Sequence, residues 1–156
     1  MKTRARNVRV LTPAADGVRS APEAAGLAGV TYRQLDYWTR KGWIVPADLN
    51  RVSPGRVVRR YGPAEIVQCA LLAHLGGSGL DVTPFGPQVG ELGELGPDDL
   101  VVVDQDGSLE VVAAGELRGR VAQRGRWVLF DPAPVLRRLS RPHSTASMEA
   151  STRRTA

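Results

Sequence analysis

Arg33, Tyr37, Arg40 and Lys41 recur at i, i+4, i+7 and i+8, which places three cations and a phenol on one side of a helix. Leu35 and Trp38 point the other way. Guanidinium and phenol groups donate hydrogen bonds to phosphate oxygens, so a face of this kind suits a phosphate-lined groove. For an arbitrary amphipathic helix the plainer reading, a solvated charged face, usually wins. The neighbouring residues decide between the two. Ser20 with Glu23 forms a capping-box signature for a short helix, which Ala28-Gly29-Val30 turns. Thr31 with Gln34 repeats that signature for a second helix that runs to about Lys41 and stops at Gly42. Two capped helices across a tight glycine turn predict a helix-turn-helix.

The chain of 156 residues has room for one ordinary domain, or a small domain with an appendage. Its formal charge of +5 and isoelectric point near 10.1 favour an anionic partner. Nine of the 16 acidic residues fall between Gly76 and Leu117, a segment without Lys or Arg, so the cations gather at the two ends and in the helix-turn-helix. The single cysteine, Cys69, rules out an intramolecular disulfide or a Cys-based metal cluster, and it sits on the apolar side of a predicted helix as a buried thiol. No apolar run approaches the ~20 residues that span a bilayer, and the basic N-terminus lacks the apolar core of a secretory signal. Residence in the cytoplasm, associated with the nucleoid, is the resulting expectation.

Trp43-Ile44-Val45 reads as a short apolar strand closed by Pro46, with Val57 to Tyr61 as its partner and a ten-residue loop, Ala47 to Arg56, between them. A hairpin whose loop carries Arg51 and Arg56, directly after a recognition helix, is a wing. Tyr61 is expected to pack beneath it, while Arg59 has two options, packing or DNA contact. Gly62-Pro63 opens a third helix with Glu65 near its positive end, and Ile66, Val67, Ala70 and Leu71 form the stripe that covers Leu35, Trp38 and the first helix. Gly76-Gly77-Ser78-Gly79 ends it.

At these residues the chain resembles the MerR family of winged helix-turn-helix regulators. The family pattern appears as Gly29-Val30-Thr31-Tyr32-Arg33-Gln34-Leu35-Asp36-Tyr37-Trp38, followed by Gly42-Trp43-Ile44-Val45-Pro46. Arg59-Arg60-Tyr61 ahead of Glu65-Ile66 matches the end of the family's wing, and the likeness spans Ser20 to Leu92. Asp36 departs from the pattern, which most often has Arg there; an i, i+4 pair with Arg40 would account for it. The resemblance implies a sequence-specific double-stranded DNA-binding transcriptional regulator, homodimeric on an inverted repeat, with RNA polymerase as a further partner. The DNA-binding residues it implies are Tyr32, Arg33, Tyr37, Arg40 and Lys41 on the helix, with Arg51, Arg56, Arg59 and Arg60 on the wing. No catalytic residue, cofactor or metal is expected.

The family's fourth helix would lie at Leu80 to Leu92, where Pro84, Gly86, Pro87 and Gly90 restrict it to a short piece from Pro87 onward. The long dimerisation coiled coil of the family cannot follow, because Gly93, Gly96 and Pro97 interrupt before a heptad starts. Dimerisation is therefore expected through Leu80 to Leu92 or the C-terminal hairpin. From Leu100 the pattern changes to a hairpin around an Asp-Gly turn, a helix from about Ala114 to Gln123, a strand Arg126 to Phe130, and a last helix Pro132 to Leu139 capped by Asp131. The expected fold class is α+β: a basic disordered arm over 1–19, the winged helix-turn-helix over 20–92, a small ββαβα unit over 97–140 and a disordered tail over 141–156.

Two other readings stay open at this level. Small winged helices of this type also resemble excisionases, which bend DNA for site-specific recombination, although such proteins usually stop soon after the wing. A protein-interaction module using the acidic half is the other. An enzyme is the weakest reading: no nucleophile has a base, no His pairs occur, and the glycine run at Gly76 lacks the strand and Lys of a phosphate loop.

Overall fold

The computed structural model describes residues 17–104, 107–121 and 127–141; the expected arm up to residue 16 and the tail from residue 142 lie outside them. The last residues of the expected 1–19 arm are not disordered, because Arg19 pairs with Tyr61. Arg19 and Ser20 form a short strand, β1 (Arg19–Ser20), that leads into helix α1 (Ala21–Ala28).

Both predicted capping boxes are made. The Ser20 backbone N–H donates to Glu23 Oε2 at 3.0 Å, and in helix α2 (Tyr32–Arg40) the Thr31 N–H donates to Gln34 Oε1 at 2.9 Å while Gln34 N–H donates to Thr31 Oγ1 at 3.2 Å. Each pair satisfies amide donors that a helix start leaves unpartnered. Between the helices, the Val30 N–H returns to the Ala25 carbonyl at 2.9 Å and closes the turn. Ala24, Ala25 and Ala28 are buried, so small side chains let α1 lie close to its neighbours.

The wing differs from its expected form. Trp43-Ile44 is not a strand: the N–H groups of both residues go back to the Trp38 carbonyl, at 3.1 and 3.4 Å, so the chain is still unwinding from α2. Trp43 and Ile44 are apolar because they are core, 7% and 0% exposed. A three-residue apolar run cannot by itself distinguish strand pairing from such a plug. The hairpin is instead β2 (Asp48–Ser53) against β3 (Arg56–Tyr61), joined by Pro54-Gly55. Pro presets the first position of this tight turn and Gly55, at φ 85°, supplies the left-handed second one. A turn of that hand splays its strands, and the register shift between Arg51 and Ser53 absorbs the mismatch. β1 adds to the far side of β3, giving a sheet ordered β1-β3-β2.

Helix α3 (Pro63–Gly77) crosses beneath, burying Ile66, Val67, Cys69, Ala70, Leu71, Leu72 and Leu75. Its first turn is held by Glu65, whose Oε2 accepts the Gly62 N–H at 2.7 Å. Helix α4 (Gly86–Gly90) is as short as its prolines and glycines predict. It lies directly on Trp43, where a Cβ at Gly86 would overlap the indole ring and one at Gly90 the Trp43 carbonyl. Phe85 and Val89 are consequently buried within the protomer.

The C-terminal unit follows the expected order: β4 (Asp99–Asp104), β5 (Leu109–Ala113), a 3-10 turn at Ala114–Glu116 leading into α5 (Leu117–Val121), β6 (Trp127–Phe130) and α6 (Ala133–Leu139). Gln123 and Arg126, placed by the sequence in that helix and strand, lie outside the described residues. The antiparallel sheet is ordered β5-β4-β6, and its central strand is buried on both faces through Val101, Val102 and Val103, which explains the unbroken valine run. Asp131 caps α6 as predicted, its Oδ1 accepting the Ala133 N–H at 2.9 Å.

The two parts share one core. Val101, Val103, Phe130 and Val135 belong to the same buried cluster as Leu35, Trp38 and Leu71, and α6 packs against α1 and α3. Polar contacts cross the same seam: the amide of buried Gln68 donates to the Leu92 carbonyl at 2.8 Å, and His74 Nε2 donates to the Leu129 carbonyl at 2.8 Å with its ring tilted on Phe130. His74 is thus a structural residue at the seam.

Candidate nucleic-acid interface

The helical period sorts α2 as the sequence predicts. Leu35 and Trp38 are 1% and 4% exposed, whereas Tyr32 and Tyr37 are 57% and 49% exposed, and Arg33, Arg40 and Lys41 stand in solvent. Two tyrosines left this open on a short helix are unusual for core material and suit a surface that meets a partner. Tyr37 is oriented by two contacts, its ring at right angles to that of Trp43 with centroids 6.0 Å apart, and the Lys41 ammonium over its ring, 5.6 Å from the centroid.

Asp36 joins the helix to the wing. Its Oδ2 takes Arg40 Nη2 at 2.7 Å, the i, i+4 pair expected from the sequence, and its Oδ1 takes Arg59 Nη1 at 2.7 Å across from β3. The second contact was not legible, because Arg59 is remote in sequence and only the register of β3 turns it toward α2. A further bond ties the same elements: the Thr39 hydroxyl donates to the Leu35 carbonyl at 2.8 Å and lies 3.0 Å from the Tyr61 hydroxyl. With the threonine proton already committed, the phenol is the donor. Burial raises the Tyr61 pKa above its ordinary value, which keeps that proton in place.

The wing cations are divided by the strand period. Arg51 is exposed and lies on β2 opposite Val57, not in a loop, and shares a face with Arg59. Arg56 and Arg60 alternate onto the other face, exposed, with Arg56 beside the turn. The structure therefore brings Tyr32, Arg33, Tyr37, Arg40 and Lys41 together on α2, adds Arg51 and Arg59 from the near side of the wing, and sets Arg56 and Arg60 behind. Among the described residues no group of His, Cys, Asp or Glu could hold a metal, and no helix is long and apolar enough to cross a membrane.

A helix-turn-helix with this cap spacing, a hairpin after it and a cationic helix face is matched by the model of the MerR HTH family regulatory protein over residues 20–83. Residues 20–83 are a MerR-family helix-turn-helix domain. The chain is also 33% identical over 79 residues to proteins named uncharacterized HTH-type transcriptional regulators, one from Mycobacterium bovis and others from two strains of Mycobacterium tuberculosis. That stretch is 51% of this chain and 35% of each relative, so the chain spans about a third of the length of the curated relatives it matches. All nine expected interface residues fall inside the MerR-family domain.

Proposed function

We propose that this protein is a sequence-specific double-stranded DNA-binding transcriptional regulator of MerR type. The observation that carries the reading is the sorting of α2: Arg33, Tyr37, Arg40 and Lys41 outward, Leu35 and Trp38 anchored behind. In this reading α2 enters the major groove, where Arg33 and Tyr37 reach base edges, and Arg51 on the wing meets the flanking phosphates. Two copies would bind an inverted repeat with recognition helices ~34 Å apart or a multiple of it. Because Phe85 and Val89 are turned inward, the C-terminal hairpin, with Val111 exposed on edge strand β5, is the better candidate for the contact between copies. RNA polymerase on a nearby promoter is the further partner.

Selection of duplexes from a randomised pool, followed by anisotropy titration of the winners against random-sequence DNA, tests this. An enriched inverted repeat bound at least about 10³-fold more tightly than random duplex is expected of a specific regulator. Equal affinity for all duplexes would make it an architectural binder, and no affinity would exclude DNA as its partner.

A further inference from the structure

We infer that Asp36 sets the selectivity of this domain, by holding two cations of the interface away from indiscriminate phosphate binding while fixing the wing to the recognition helix. The inference rests on the DNA-binding reading above. The Asp36 carboxylate has one oxygen for each guanidinium, Arg40 on α2 and Arg59 on β3, both at 2.7 Å. Its side chain is 18% exposed, against 72% for Arg40 and 33% for Arg59. Water therefore screens it poorly, and a carboxylate bridging two charged donors is a small network, stronger than an isolated surface pair.

An anion at the centre of a cationic face works against affinity for DNA in general. Sequence-independent binding comes almost wholly from cations that displace counterions from phosphates, and a guanidinium engaged by Asp36 contributes less of it. Binding to the correct sequence depends instead on the relative placement of α2 and the wing, which the same carboxylate fixes together with the Thr39 to Tyr61 bond. Asp36 thus lowers the non-specific term and preserves the specific one. A positive residue here would do the reverse, adding a phosphate ligand and leaving Arg59 without its partner.

The test compares the wild-type chain with Asp36→Ala, Asp36→Asn and Asp36→Glu, on a random-sequence duplex and on a duplex that the wild-type chain selects from a randomised pool, across a salt series. Circular dichroism confirms that each variant is folded, and Asp36→Asn keeps the size of the side chain should the alanine variant fail. Freed Arg40 and Arg59 should each steepen the slope of log affinity against log salt by about 0.9, which makes random-duplex binding fall about tenfold more between roughly 50 and 200 mM salt. Asp36→Ala and Asp36→Asn should bind random duplex more tightly at low salt and discriminate less, Asp36→Glu should stay near wild type, and adding Arg59→Ala to Asp36→Ala should return about half of the slope. Weaker binding to the selected duplex with an unchanged slope on random duplex would make Asp36 a structural residue and overturn the inference. A wild-type chain that bound neither duplex would remove the DNA reading itself, a distinct result.

Discussion

Replacing Tyr61 by Phe removes one hydrogen bond and nothing else, which makes it a clean probe of how the wing is attached. The ring is 1% exposed and keeps its packing, so no cavity opens. Thr39 keeps its own donation to the Leu35 carbonyl and loses only an incoming proton, so Tyr61→Phe should cost about 1 kcal/mol, roughly 3 °C in Tm for a chain of this size. Thr39→Val is harsher. It leaves the phenol O–H buried without an acceptor, a penalty of about 1–3 kcal/mol, while the double variant replaces both partners by apolar groups and should cost less than the two singles together by about 1 kcal/mol. Urea unfolding followed by circular dichroism at neutral pH completes the cycle. The phenol adds a pH signature: its folded pKa lies above the ordinary 10.0, so its stabilisation is intact below that value and is lost as pH climbs beyond it, where the unfolded tyrosine ionises first. Tyr61→Phe should lack this alkaline loss. Additive single costs, or a Thr39→Val effect no larger than that of Tyr61→Phe, would refute the assigned direction of the bond.

Arg33→Ala should weaken binding to a selected duplex more than Arg51→Ala, since a helix cation can read base edges whereas a wing cation adds mainly counterion release; losses at selected and random duplex that matched for both variants would contradict this. Gly86→Ala should destabilise the fold by about 1–3 kcal/mol, because its methyl would overlap the Trp43 ring, and thermal unfolding measures it. The Cys69 thiol, buried and pushed up to about 12, should resist thiol reagents at pH 8 and react fully once urea unfolds the chain; its folded pKa exceeds the ordinary 9.0, so it also draws stability away as pH rises from about 9 toward 12.

Much of the interface was legible because its determinants are local. Capping boxes, the glycine that ends α1 and the two faces of α2 all depend on residues within a turn or two of each other. The start of the wing is less legible for the opposite reason: Trp43 and Ile44 are apolar at a helix exit, and only their burial, Trp43 under α4, marks them as core, while Val45 beside them is exposed. With the hairpin at Asp48–Tyr61, Arg51 lies on a strand and the wing arginines divide between two faces. The Asp36 to Arg59 pair spans 23 positions and the Thr39 to Tyr61 bond 22, separations at which periodicity carries no information. The packing of α6 on α1 and α3 is equally non-local; the sequence supplied Val135 and the small alanines of α1 but not their meeting.

Backbone amide and side-chain NMR signals of the full chain, followed as a selected duplex is added, report whether the outer face of α2 meets DNA. Signals of Arg33, Tyr37 and Lys41 should shift first and most, with Arg51 and Arg59 after them, while Leu129 on β6 stays in place. Signals of α2 that stayed unmoved while the duplex bound would show that this face is not the DNA contact.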